Sequence, residues 1–108
     1  MNKQKQNGIV YMVQPSALVG GTFDCNHQRI KIGRSKSIKR INKYNNGTII
    51  FFVYGTNDMV GYENEIKKIF KNRFKLVSGT ETFEGSLADM KKCFLQFITT
   101  KENNINTE

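Results

Sequence analysis

Five side chains in this sequence are of the types that handle a phosphate ester when brought together: Tyr11, Lys31, Arg40, Tyr44 and Glu63. Arg40 and Tyr44 stand four apart, the separation that sets two side chains on one flank of a helix. An arginine fork holds a phosphate through two oxygens, and a tyrosine hydroxyl donates to a phosphate oxygen or positions a water. The same pair also suits a cation–π contact on a solvated surface. Tyr11 reads equally as a half-buried strand tyrosine, and Lys31 as an exposed strand lysine.

Glu63 is the most telling position. Ile66, Ile69, Phe70 and Phe74 keep the i, i+3, i+4, i+8 spacing of one helix face. At about 100° per residue, Glu63 falls about 45° from the centre of that stripe, whereas Glu65 falls roughly 115° away, towards solvent. A carboxylate inside an apolar stripe is destabilising unless a cation satisfies it. A Mg²⁺ or Mn²⁺ ion would do so, making Glu63 a candidate metal ligand. A structural ion pair to Arg40 or a lysine, or a favourable position in the first turns of the helix, would do so as well.

The chain around these residues is cationic, with a net charge of +8 at pH 7. Arg29, Lys31, Arg34, Lys36, Lys39, Arg40 and Lys43 form one stretch without an acid, and Lys67, Lys68, Lys71, Arg73 and Lys75 form another. These hold 12 of the 17 basic residues, so the field is polarised as a polyanion binder requires. Arg29, Arg34, Lys36, Lys39, Lys43 and Arg73 are the candidate nucleic-acid contacts. Cys25 and Cys93 have neither metal-site nor redox spacing. They read as reduced thiols of an intracellular compartment, with a disulfide as the alternative. No signal peptide or membrane span is legible, so a cytoplasmic location is expected, or a nuclear or viral-factory one for a eukaryotic virus. The abundance of Asn, Lys and Ile suggests an AT-rich coding genome, such as that of a phage, a large virus or a low-GC bacterium.

At 108 residues the chain supports one core and one domain, here bounded at 8–99 with polar tails at 1–7 and 100–108. Ile9 to Val13 reads as a strand stopped by Pro15, and Gln14 to Gln28 as a long irregular loop. Arg29 to Gly33 alternates as a second, antiparallel strand. Ser35 or Ser37 can cap a short helix running to about Tyr44, with Asn45-Asn46-Gly47 ending it. Thr48 to Tyr54 is the strongest strand and is expected at the centre of the sheet. Asn57 or Asp58 caps a helix to about Phe74, and Gly79 to Gly85 is a connector with a short extended piece at Thr82-Phe83. Ser86 opens a last helix whose core face is Leu87, Met90, Phe94, Phe97 and Ile98. The expected fold is α+β, a small three-stranded antiparallel sheet with flanking helices in the order β-β-α-β-α-(β)-α.

The segments Ile9-Val10-Tyr11 and Lys31-Ile32-Gly33, followed by Arg40, Tyr44 and Glu63, resemble the GIY-YIG nuclease superfamily. Lys31-Ile32-Gly33-Arg34-Ser35, the helix from Glu63 to Phe70, Arg73 and Glu81-Thr82-Phe83 resemble one branch more closely. That branch is the phage- and virus-encoded DNA-binding domains with a "KIG" second motif and a later "EWF"-like motif. The resemblance implies that Tyr11 orients or deprotonates the attacking water, Arg40 stabilises the phosphate and Tyr44 contacts the scissile group. It also implies that Glu63 binds a single divalent ion. Lys31 stands where the superfamily pattern has a tyrosine, Gly8 lies one residue further out than the pattern places it, and the first two motifs are widely spaced.

The expected function is therefore a DNA-binding domain of GIY-YIG type acting on double-stranded DNA as a metal-dependent endonuclease. A catalytically degenerate module that only binds DNA is the alternative, supported by Lys31 in place of tyrosine. Glu81 reads either as part of the site's rim or as a turn residue beside a core phenylalanine. All of this requires folding to gather a phenol, a guanidinium and a carboxylate into one cation-rich pocket.

Overall fold

The structure, a computed structural model, describes residues 5–16, 26–44 and 46–106. Most of the loop expected between Gln14 and Gln28, Cys25 within it, Asn45 of the expected helix end, and the two extreme termini lie outside the described residues. Strand β1 (Gly8–Gln14) pairs antiparallel with both β2 (Gln28–Ser35) and β3 (Ile49–Thr56). Its β-branched and aromatic run is buried from Val10 to Gln14, as the interior strand of a sheet covered on two sides must be.

The sheet has five strands in the order β3-β1-β2-β5-β4, and the expectation of three is corrected. Lys75–Ser78 (β4) and Thr82–Gly85 (β5) form a hairpin that extends the sheet beyond β2. Gly79 turns it with φ of 56°, a left-handed conformation that glycine adopts without a steric penalty. Four-residue strands carry too little alternation to announce themselves in the sequence. The place of β3 is corrected too. It forms one edge of the sheet, although its unbroken apolar run reads as a strand buried on both faces.

Helix α2 (Met59–Arg73) is capped by Asp58, whose carboxylate accepts from the Gly61 amide at 3.2 Å. Helix α3 (Leu87–Asn106) is opened by Ser86, whose hydroxyl accepts from the Asp89 amide at 3.3 Å. It runs several residues further than expected. Lys101 forms an ion pair with Glu65 at 2.6 Å, and the Tyr54 hydroxyl donates to Glu102, so residues read as a polar tail are tied down as helix. Among the described residues no helix is long and apolar enough to cross a membrane.

These two helices lie on one face of the sheet, over a core containing Val10, Met12, Ile30, Ile32, Ile66, Phe70, Phe83, Met90 and Phe94. Each such side chain contributes roughly 1.5–3 kcal/mol by leaving water. Phe70 meets Phe83 edge-on at 5.4 Å, joining α2 to the added hairpin, and Phe52 stacks on Phe94 at 5.2 Å, joining β3 to α3. The opposite face carries a smaller cluster of Tyr11, Val13 and Ile41 with Ile9 and Tyr44 packed against it. Ile41 and Tyr44 come from the one-turn helix α1 (Lys39–Asn42) and the residues that follow it. Helix α1 has no side-chain cap at its first position, although Ser37 accepts from the Lys39 amide at 3.2 Å.

Phe83→Ala tests whether the hairpin belongs to the core. Phe83 is fully buried, so urea unfolding is expected to show a loss of about 3–5 kcal/mol. A loss below about 1 kcal/mol would mean that the two added strands are a detachable flap.

Candidate functional site

Tyr11 leaves β1 on the face opposite α2 and α3 and is 2% exposed. Its register partner on β2 is Gly33. A Cβ placed on Gly33 would stand 2.5 Å from the Tyr11 hydroxyl and ring carbon, so the ring lies across the glycine. Any larger residue there would displace the phenol. The Tyr11 hydroxyl shares a hydrogen bond with the Tyr44 hydroxyl at 3.2 Å, and the two rings meet edge-on at 6.2 Å.

Burial, then the hydrogen bond to Tyr44, pushes the Tyr11 phenol up to about 12, while the nearby Arg40 and Lys31 act in the opposite direction. At neutral pH it is therefore a neutral hydroxyl. Lys31, two residues before Gly33 and on the same face, sets its ammonium 5.8 Å from the Tyr44 ring centre. The Lys31 ammonium also lies 3.4 Å from a Glu81 carboxylate oxygen. The Glu81 carbonyl accepts from the Ile32 amide at 2.9 Å, which fixes the turn against β2. Tyr11, Lys31, Arg40 and Tyr44 are thus gathered on one face, and Glu81 joins them. Sequence reasoning left Glu81 open, since nothing local shows that the turn after β4 folds back over Lys31.

Glu63 is placed elsewhere. It lies on α2, 5% exposed, on the other side of the sheet. Arg34 donates to its Oε1 at 2.7 Å, and Lys67 forms an ion pair with its Oε2 at 3.3 Å. Arg34 follows Gly33 directly, and consecutive strand residues point to opposite faces. The carboxylate and the phenol therefore meet β2 at neighbouring residues from its two sides, and the single pocket expected from the sequence is divided in two.

Glu63 offers a divalent ion a single carboxylate, engaged on both oxygens by Arg34 and Lys67. A buried carboxylate oxygen is a hard ligand, and its charge is now balanced by two side-chain cations that a metal ion could replace. Among the described residues no group of three or more His, Cys, Asp or Glu could hold a metal. An ion at Glu63 would thus draw its other ligands from phosphate and water oxygens.

The expected nucleic-acid contacts divide as well. Lys36, Lys39 and Lys43 are exposed around α1 with Arg40, on the Tyr11 side, and have no carboxylate in ion-pair range among the described residues. Arg29 lies on β2 but donates to Glu84 at 2.9 Å, holding that carboxyl below the usual range. Arg34 is committed to Glu63. Arg73 ends α2 and lies near Cys93 in a cleft between α2 and α3, apart from the Tyr11 cluster. Cys93 itself is buried and free, and burial raises its thiol.

The family description that matches this chain is the T5orf172 domain, over residues 8–98. No curated protein and no solved structure matches it.

The Tyr11 environment has two measurable consequences. An unfolded tyrosine ionises near 10 and the folded Tyr11 near 12, so the folded state holds the proton more tightly. That stability is fully present below pH 10 and is lost as pH rises towards 12, about 3 kcal/mol in all. Tyrosinate absorbance during alkaline titration should show late-ionising hydroxyls, Tyr54 being the other, pushed up to about 12 chiefly by its bond to Glu102. Tyr11→Phe should remove one of them. Gly33→Ala should lower stability by about 1–3 kcal/mol by forcing the ring aside; an unchanged unfolding midpoint would show that the ring has room to move.

Proposed function

The chain belongs to the T5orf172 domain family, and from that premise we propose that it is a GIY-YIG-type domain that binds double-stranded DNA and hydrolyses its phosphodiester bonds with one divalent ion. The observation that carries this reading is the hydrogen-bonded Tyr11–Tyr44 pair flanked by Lys31 and Arg40. Lys39 and Lys43, on the same one-turn segment as Arg40 and without a carboxylate partner among the described residues, add to the positive charge of this face. Two hydroxyls, an ammonium and a guanidinium on one face outnumber the single Glu81 carboxylate beside Lys31 and offer donors and net positive charge that a phosphodiester accepts.

In this reading Arg40 grips the non-bridging oxygens of the phosphate and stabilises the charge that develops on them. Tyr44 donates to the phosphate, and Tyr11, protonated at neutral pH, orients the attacking water through its hydroxyl. Lys31, anchored by Glu81, holds positive charge against the Tyr44 ring. Mg²⁺ or Mn²⁺, held by Glu63 on the other face of β2, would supply further positive charge to the bound DNA. In this reading the protein acts on DNA inside a cell.

A second reading has an observation of its own. Both Glu63 oxygens and the Lys31 ammonium are committed to protein partners. A domain that kept the phosphate contacts and lost hydrolysis would look the same.

Nicking of supercoiled plasmid in Mg²⁺ or Mn²⁺ separates the two. Wild type is expected to nick, and Arg40→Ala and Glu63→Gln to lose at least about 100-fold in rate. Glu63→Gln leaves Arg34 and Lys67 without their shared carboxylate, so its fold is checked by circular dichroism. Nicking that both variants retain would remove the endonuclease reading. DNA binding in EDTA with no nicking in any metal would establish the second.

A further inference from the structure

Strand β3 is the least guarded part of the sheet. Ile49–Thr56 contains no charged residue, in a chain of which 24% is charged. Edge strands are ordinarily protected by lysine, proline or shortness, as β4 is by its four residues and Lys75. The register places part of β3 beside the candidate site. Val53 pairs with Tyr11, Ile50 with Val13 and Gly55 with Ile9, and all three β1 partners belong to the Tyr11-side cluster.

Ile50 and Val53 are three residues apart, a spacing that puts side chains on opposite faces of a regular strand. A bulge between the Met12 and Val13 pairings returns them to the same face. There they are 48% and 38% exposed. Gly55 continues the row. Its φ is not in the left-handed region, and a Cβ added to it would meet nothing within 4 Å among the described residues. Neither backbone conformation nor crowding calls for glycine there, whereas an incoming backbone that must come close does.

We propose that the Ile50–Val53–Gly55 row of β3 is the non-electrostatic half of the nucleic-acid seat, with Ile50 and Val53 against deoxyribose and base surface and Gly55 admitting the sugar-phosphate chain. This rests on the nucleic-acid reading above. Charge complementarity selects the occupant: the row borders the face carrying Lys31, Arg40 and the α1 lysines, which attract a polyanion. A nucleic acid is a polyanion with apolar sugar and base surfaces between its phosphates. The cations hold the phosphates, and the row holds what lies between them.

The test is fluorescence anisotropy with a labelled single strand and a labelled duplex, each across a salt series in EDTA. Ile50→Ser with Val53→Ser should weaken binding about 5- to 20-fold and leave the log–log salt slope unchanged, because no phosphate contact is lost. Lys39→Ala with Lys43→Ala should make that slope shallower by about 2. Gly55→Val should weaken binding by about tenfold while keeping or raising the unfolding midpoint, since valine suits a strand better than glycine. A larger loss on the single strand assigns the row to base faces, and an equal loss on both assigns it to sugars.

Row variants that bind like wild type, while the lysine variants do not, would overturn the row and leave the nucleic-acid reading intact. Row variants that change only the sedimentation of the protein would overturn it in favour of a contact between copies. Wild type that fails to bind either probe at low salt would overturn both readings.

Discussion

The fold's second face depends on one steric constraint, a full phenol ring laid across a glycine. Tyr11 sits on the side of the sheet that α2 and α3 leave uncovered, and it is buried there only because Gly33 has no side chain and α1 closes over it. Helix α1 is four residues long. A single turn is far too short to be helical by itself. It is held by Ile41 and Tyr44 docking against Tyr11 and Val13. The cations of α1 therefore owe their positions to the phenol, and a change at Gly33 would disturb them without touching any of them.

Charge is distributed by the same logic. The cations of β2 are matched to acids: Arg29 with Glu84, Lys31 with Glu81, and Arg34 with Glu63. Exposed pairs of this kind add little to stability. Their effect is to fix where the positive charge of β2 stands. The α1 cations are left without carboxylate partners among the described residues, and an arriving polyanion meets them without first displacing an acid. Glu63 differs because it is buried. Its pairing with Arg34 and Lys67 offsets part of the desolvation cost of that burial, whereas an unpaired carboxylate there would strongly destabilise α2.

The helix faces were legible from the sequence. The stripe of Ile66 and Phe70 and that of Met90, Phe94 and Phe97 are buried as their spacing requires, and Asp58 and Ser86 cap where a capping residue was expected. The order of strands was not. A run such as Ile49 to Tyr54 shows that a strand forms, but its neighbours are chosen by pairing across the chain, which local pattern does not encode. The buried glutamate was legible as an acid needing a counter-charge. Lys67 was within reach of that argument, being four residues along the same helix. Arg34 was not, since nothing in the sequence shows which end of β2 faces α2. The division of the site across β2 was hidden for the same reason.

That division limits how any single ligand could engage both halves. The body of a sheet cannot be crossed, so the two faces communicate only where strands end. Arg34 and Ser35 are the last residues of β2, and Gly8 and Ile9, beside them, are the first of β1. Glycine thins this corner twice. A Cβ on Gly8 would stand 2.6 Å from the Ser35 carbonyl oxygen and would also strike Met59 of α2, and one on Gly33 would strike Tyr11. The chain leaves β2 here and turns within a few residues into α1, bringing Lys36, Lys39 and Arg40 to the same corner. The end of β2 thus has the phenol pair on one face and the Glu63 carboxylate, through Arg34, on the other. The α1 cations follow this end of the strand directly, so positive charge is concentrated where the two faces of β2 come nearest to each other.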